Sequence, residues 1–350
     1  MDKPNVAVVG YGFAGRCFHT YLVGLASELN LYGIATRRTE ARAQIQQQLG
    51  VKTFSCFEDM LDDPQVDLVV LATPNDLHAP HAIRALEAGK HVVTDKPMCL
   101  DVAEADAMIA ASRKTNRLLS IFQNRRWDGD YLTVRSIVEE GILGDLYQLE
   151  MAWMGYAKPH TWRSEHQRGG GKFVDLGAHM IDQALQLIPA PVEKVYARFH
   201  TGIWDNDVED HAHCTISFTN GVEVHIDTSS VARSSKPRWY LVGSAGTLTK
   251  AGLDPQEKAM IAGNIDAAHE DPAQRARLFA DIAGQPAATV VETIPGRWRS
   301  YYENIGAVLQ GKEELAVTPE SVRTVMRVIG AAQCSAARNQ AIGLDEVDGI

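Results

Sequence analysis

The sequence has few cysteines, and what it has is unordered. Cys17, Cys56, Cys99, Cys214 and Cys334 are odd in number, scattered through 350 residues and without a C-x-x-C pair, which excludes a disulfide framework and a zinc knuckle. No apolar run approaches the ~20 residues that a bilayer span requires. No basic segment with a following apolar stretch precedes the first strand-like residues, Val6–Val9. A cytoplasmic protein that does not enter a membrane is expected. Positive charge is also in deficit. Lys and Arg number 34 against 44 Asp and Glu, a net charge of −10, which excludes broad binding to nucleic acid or anionic membrane but leaves local basic sites for small anions. There is no internal repeat and no low-complexity tract. What remains is an ordinary globular composition, 45% apolar and 22% charged, long enough for a sizeable core and two domains.

Short apolar runs alternate with helical patterns through residues 1–125. Val6–Val9, Tyr32–Ala35, Val66–Ala72, His91–Thr94 and Leu118–Phe122 read as strands, with helices over His78–Ala88 and Val102–Thr115 between them. That order predicts a doubly wound parallel sheet covered on both faces. From residue 126 to 350 the pattern predicts an α+β domain on a largely antiparallel open sheet. It has a helix over Tyr131–Glu140, a strand over Tyr147–Trp153, a helix over Asp175–Leu187 and a hairpin over Thr215–Ile226 turning at Asn220-Gly221. Asp254–Ala288 has weak periodicity and reads as irregular or partly helical. Helices over Trp298–Leu309 and Pro319–Arg338 close the chain, and these helices are candidates to pack back on the first domain.

The first strand leads into Gly10-Tyr-Gly12-Phe13-Ala14-Gly15. After a strand and before a helix, this spacing is a dinucleotide fingerprint. Gly10 allows a tight turn, Gly12 lets the backbone approach a pyrophosphate, and Gly15 lets helix and strand pack closely. Where the second strand would end in an acidic residue that binds the ribose 2′-hydroxyl, this chain has Thr36-Arg37-Arg38. A hydroxyl and two guanidinium groups suit a 2′-phosphate, so NADP is expected rather than NAD; otherwise the arginines are a solvated start to the next helix. Thr73-Pro74-Asn75 follows a strand and should line the cofactor cleft, and His78, structural when taken by itself, opens the next helix and is counted with them among the cofactor-binding candidates.

Asp95-Lys96-Pro97 lies at the carboxyl end of another strand, where a lysine can enter the same cleft and proline stiffens its position, by either a cis or a trans bond. Gly169-Gly-Gly171 leads into a helix with Asp175, His179 and Asp182 on one face. Taken alone, Asp175 is a cap and His179 a core histidine. Taken with Lys96 and the fingerprint, they form a proton acceptor, its orienting carboxylate and a cation for a developing alkoxide. His211-Ala-His213-Cys214 does not converge on a metal, because in a strand its histidines face one way and Asp210 and Cys214 the other.

These motifs together, with Ala72-Thr-Pro-Asn-Asp-Leu-His78, Glu87-Ala-Gly-Lys-His-Val-Val-Thr-Asp-Lys-Pro97 and Gly169-Gly-Gly-Lys-Phe-Val-Asp-Leu-Gly-Ala-His179, resemble the glucose-fructose oxidoreductase, inositol dehydrogenase and MocA family along nearly the whole chain. The family pattern is Glu-Lys-Pro, and Asp95 departs from it. The resemblance implies a Rossmann domain, catalytic Lys96, Asp175 and His179, and a second-domain sheet that assembles a homodimer or homotetramer. Phe122–Tyr131 and Asp175–Leu185 are most similar to an NADP-dependent scyllo-inositol dehydrogenase branch. Trp162-Arg163 resembles a segment that reaches nicotinamide and substrate, and Arg125, Tyr156 and His160 are candidate polyol contacts. The reaction expected is interconversion of a secondary alcohol and ketone on a cyclic polyol or sugar. The alternatives are a dinucleotide-binding sugar sensor and a redox-neutral NAD-dependent glycosidase.

Overall fold

The computed structural model describes residues 3–282 and 285–348. The chain divides into two compact units, Met1–Asn124 with Trp298–Arg323, and Arg125–Arg297 with Thr324–Ile350.

The first unit is built on six parallel strands: β1 (Asn5–Val9), β2 (Asn30–Ala35), β3 (Lys52–Phe54), β4 (Leu68–Leu71), β5 (His91–Thr94) and β6 (Leu119–Ile121). Their order is β3-β2-β1-β4-β5-β6, the doubly wound arrangement. The central strands are continuous apolar runs because both faces are covered; Val6, Ala7, Val8 and all of Leu68–Leu71 are fully buried. β3 was not anticipated. Its three residues are too few to show a period, and only pairing with β2 over Gly33–Ala35 defines it. The helix His78–Glu87 buries Ala79, Ala82, Ala85 and Leu86 at helical spacing. The helix Val102–Thr115 starts where the Asp101 carboxylate accepts from the Glu104 amide at 2.8 Å, and ends at Asn116 in the left-handed region.

The helix Arg299–Leu309 belongs to this first unit. Trp298 stacks on Phe18 at 5.7 Å, and Phe122 meets Tyr301 edge-on at 5.0 Å. The Tyr301 hydroxyl donates to Ser120 at 2.9 Å, whose own hydroxyl donates to the Val317 carbonyl at 2.9 Å.

The second unit holds eight strands: β7 (Leu146–Met154), β8 (Val192–His200), β9 (His211–Phe218), β10 (Glu223–Ser229), β11 (Trp239–Gly243), β12 (Gly246–Lys250), β13 (Ala276–Ile282) and β14 (Gln285–Val291), in the order β14-β13-β12-β11-β7-β10-β9-β8. All pairs are antiparallel except β7 with β10. The β9–β10 turn falls at Asn220-Gly221, where Gly221 takes φ +87° and donates to the Phe218 carbonyl.

The reading of Asp254–Ala288 as irregular or partly helical holds only in part: the stretch contains a short helix, Gln256–Ile261, but then β13 and most of β14, with residues 283 and 284 outside the described residues. These strands carry alanine and polar residues in place of a clean alternation, so pairing across the edge of β12, Leu248 opposite Leu278, decides their structure. The Asp175–Leu187 helix also starts earlier than read. A wide-turned segment, Phe173–Gly177, runs directly into the helix Ala178–Leu187.

Asp182, on that helix, has a structural task. Arg126 grips it through two hydrogen bonds, 2.8 Å from Nε and 2.6 Å from Nη2, and both side chains are buried. Nearby, Trp239 donates to Asp130 at 2.8 Å and Arg238 to Gln183 at 2.7 Å. Among the described residues no helix is long and apolar enough to cross a membrane. Replacing Arg126 with Met strands the Asp182 carboxylate in the interior and should cost about 3–5 kcal/mol of unfolding free energy. Denaturant titration checks this, and a variant as stable as the parent would remove the pair from the account of the unit.

Candidate functional site

The candidate residues divide between the two units. In the first, Gly10 takes φ +95°, and a Cβ there would overlap the Ala72 carbonyl oxygen. Its amide donates to the Ala35 carbonyl at 3.0 Å, tying the loop to the end of β2. A Cβ on Gly15 would strike the Gly10 carbonyl, whereas one on Gly12 meets nothing within 4 Å. The two outer glycines are therefore needed for packing, and the middle one faces open space at a helix start, which is the geometry that holds an anion. Ala14 continues the backbone into that helix, and Phe13 stays half exposed against Phe18.

Beside the loop lies a cleft of about 360 Å³ whose lining includes Gly12, Phe13, Arg16 and Arg38 and no carboxylate. Arg38 reaches the Tyr11 carbonyl at 2.5 Å, while the Thr36 carbonyl accepts from Arg42 at 2.8 Å. Arg37 is exposed and does not line the cleft; its charge acts on His81, whose basicity burial already lowers. The residues present thus fit a dinucleotide, and Arg38 and the unanticipated Arg16 both line the cleft beside the glycine loop. Arg16 follows the last glycine directly, and that position is the only sign of it in the sequence.

Two buried histidines hold the Lys96 loop. His78 places Nδ1 2.8 Å from the Pro97 carbonyl and Nε2 3.0 Å from the Thr73 carbonyl, joining the loops after β5 and β4. Burial lowers its basicity against the pull of Asp95 and the two carbonyls. Asn75 is buried behind Pro74 in the short turn that precedes it. Asp95 accepts from the Lys96 amide at 2.8 Å and faces His19 Nε2 at 3.4 Å, and His19 Nδ1 meets the Tyr302 hydroxyl at 2.7 Å. Burial alone would raise the Asp95 carboxyl, but the His19 contact and the charges of Lys96 and His78 outweigh it and hold it at about 2. The Lys96–Pro97 bond is cis. His19 and Tyr302 lie far apart in sequence, so neither was identifiable from it.

In the second unit, Asp175 sits in the wide first turns with Arg163 Nε 3.6 Å from its carboxylate, and the Arg163 guanidinium lies 4.5 Å over the Trp162 ring. Thr161, just before them, takes φ +63°, a region that a β-branched residue rarely occupies. His179 is one turn further along, buried, with its ring stacked at 6.5 Å on Trp153. Arg125 covers Trp153 at 4.4 Å and pairs with Asp128 and Glu257. Tyr156 turns elsewhere, packing on Trp204 and under Arg233, and His160 is exposed. The histidines of β9 face as read: His211 and His213 share one side, with His213 bonded to Asp227 at 2.8 Å, and Cys214 is buried on the other.

Glu209 was missed, and it governs where this helix begins. Its carboxylate accepts from the Phe173 amide at 2.6 Å, and a Cβ on Gly171, at φ +107°, would come within 2.5 Å of it. A Cβ on Gly170 would meet the Arg163 and Glu165 carbonyls at 2.6–2.8 Å. The glycine run thus makes room for close packing rather than simple flexibility. Burial pushes the Glu209 carboxyl up to about 7, with Asp210 and Asp175 adding to the Phe173-opposed rise.

With this geometry, the chain matches two family models: one described as the oxidoreductase family, NAD-binding Rossmann fold, over residues 4–123, and the GFO/IDH/MocA C-terminal domain over residues 131–249. It is 30% identical to a Bacillus subtilis protein named scyllo-inositol 2-dehydrogenase (NADP(+)) IolW, across 99% of this chain and 97% of that one. It is 32% identical to the Escherichia coli oxidoreductase YdgJ, across 94% and 95%. Among solved structures, a Bacillus subtilis oxidoreductase, yvaA, superimposes with a TM-score of 0.92 at 28% identity over 98% of both chains.

A raised carboxyl binds its proton more tightly when folded, so Glu209 favours the folded state at low pH and that contribution is lost as pH rises from about 4.5 to about 7. Glu209→Gln cannot ionise. Its unfolding free energy relative to the parent should move in its favour by up to roughly 3 kcal/mol across that window. Parallel pH–stability curves for the two proteins would show that Glu209 does not titrate there.

Proposed function

The chain belongs to the Gfo/Idh/MocA oxidoreductase family, whose first domain binds a nicotinamide dinucleotide, and from that premise we propose that it is an NADP-dependent dehydrogenase of a cyclic polyol or sugar. The observation that carries this reading is the cleft beside Gly12. Arg16 and Arg38 line it without a carboxylate, an arrangement that favours a 2′-phosphate. The relative named as an NADP-dependent scyllo-inositol 2-dehydrogenase supports the substrate class.

In this reading Gly10, Gly12, Gly15, Thr73, Asn75 and the Lys96 loop hold the dinucleotide, which supplies a hydride acceptor for alcohol oxidation and a donor for ketone reduction. His179 takes the proton of the secondary hydroxyl as the carbinol carbon gives up its hydride. Asp175 orients His179 and stabilises its imidazolium form, and Lys96 stabilises the alkoxide as it develops. In reduction each proton moves the other way. The Trp153 stack fixes the plane of His179, and the His19–Asp95 and His78–Pro97 contacts fix the backbone from which Lys96 extends.

Titrating NADPH and NADH by nicotinamide fluorescence, then screening inositols and aldoses for turnover, tests the whole reading. NADPH should bind more tightly, and Arg38→Gln should reduce that preference by roughly 10- to 100-fold, the loss of one charge-assisted hydrogen bond. Equal affinity for NADH in the parent would sink the 2′-phosphate assignment. Lys96→Met should lower turnover by roughly two to four orders of magnitude with NADPH affinity nearly intact. NADPH binding without turnover on any polyol would point instead to a sensor, and substrate hydrolysis without net cofactor change to a redox-neutral glycosidase.

A further inference from the structure

A cavity of about 550 Å³ lies wholly within the second unit, largely on the stretch between β12 and β13. The second family match covers residues 131–249, and the part of the wall formed by residues 253–274 follows it in the chain. Arg125 and Trp153 complete the lining. Two contacts link this part to the helix of His179: the Trp153 ring stacks on His179, and the Arg125 carbonyl accepts from Gln183 at 2.9 Å.

This wall is held in place. Buried Asp254 accepts from the Gly129 and Gln256 amides at 2.6 and 2.8 Å, and Gln256 donates to the Trp127 carbonyl at 3.2 Å. At the far end of the stretch Glu270 pairs with buried Lys250 at 2.5 Å. These contacts tie the wall to the residues preceding and opening the Gly129–Glu139 helix and to the end of β12.

Its chemistry narrows the occupant. Four carboxylates, Asp254, Glu257, Glu270 and Asp271, stand against two cations, Arg125 and Lys258; Arg125 is engaged by Asp128 and Glu257, and Glu270 by Lys250, and the balance with these partners included stays negative. A phosphate or carboxylate would face this excess of negative charge. A wholly apolar group would strip water from Glu257 and Asp271 without replacing its hydrogen bonds. Leu253 and Ile261, both exposed, supply apolar surface among these acceptors. A neutral ring with hydroxyls at its rim and C–H bonds on its faces satisfies both. The volume lies within the roughly 300–1,000 Å³ of pockets for drug-sized ligands.

We infer that this cavity is a second-ring subsite, which takes a neutral glycosyl residue joined to the ring that is oxidised, so that the substrate is a glycoside rather than a free polyol. This rests on the dehydrogenase reading above.

The test compares kcat/KM with NADP for glucosyl-inositol against scyllo-inositol, and for maltose against glucose. It uses the parent, Ile261→Trp, which fills the cavity from an exposed position, and Asp271→Asn, which keeps its volume and guards against misfolding. The parent should favour the two-ring member of a pair on the order of tenfold, and each variant should bring that ratio down by a similar factor, mainly through KM. A parent ratio of one or less, or a ratio unmoved in both variants, overturns the subsite. Calorimetric titration of maltose and glucosyl-inositol separates the two readings. Binding lost in Ile261→Trp, with no nicotinamide turnover on any of the four compounds, overturns the dehydrogenase reading and keeps the subsite; turnover on single rings with no two-ring binding does the reverse.

Discussion

The approach of Gly10 to the Ala72 carbonyl, closer than any side chain would permit, is the constraint on which the first unit turns. β1 and β4 are neighbours in the sheet, and the loops leaving their carboxyl ends must cross at backbone distance if the following helix is to pack on the strands. Gly15 meets the same demand one turn later, against the Gly10 carbonyl itself. Because these two positions absorb the packing, Gly12 is left facing open space, and the helix start beside it becomes accessible to an anion. Cleft, loop and helix follow from one shortage of room.

The second unit solves a related problem with a buried carboxyl. The helix bearing Asp175 and His179 needs an acceptor for its first amides, and Glu209 provides it from outside the helix, in a space that Gly171 leaves vacant. The cost of burying that carboxyl appears as its raised affinity for a proton. Asp95 shows the opposite balance. It is mostly buried, yet the His19 contact and the charge of Lys96 outweigh burial and hold its carboxyl low. Both carboxyls lie beside candidate residues, Asp175 and Lys96, and each accepts a backbone amide, from Phe173 and from Lys96.

Charge within the interior of the second unit is similarly committed. Arg126 with Asp182, and Arg238 with Gln183 beside Asp130, are satisfied by partners on different elements. Such pairs add specificity of packing more than net stability, because the desolvation of each ion offsets much of the attraction. They also explain why Asp182, which shares a helix face with candidate catalytic groups, takes no part in the proposed chemistry.

By itself the sequence determined the parallel sheet, the β9–β10 turn, the glycine fingerprint, and the placing of Lys96 just after a strand and of Asp175 and His179 one turn apart. These are local signals: runs of buried apolar residues, Asn220-Gly221, and fixed spacings along one strand or helix. The tertiary structure alone decided the rest. β3 and β13 exist because a neighbouring strand pairs with them. Arg16 and Arg38 line one cleft while Arg37 does not, because side-chain direction depends on how the helix after β2 leaves the sheet. Tyr302 reaches His19 from 283 residues away and Glu209 reaches Phe173 across 36, and no spacing rule records such pairs. A periodic pattern encodes which face of an element is buried, whereas the partner of a buried polar group is set by whichever distant element covers it.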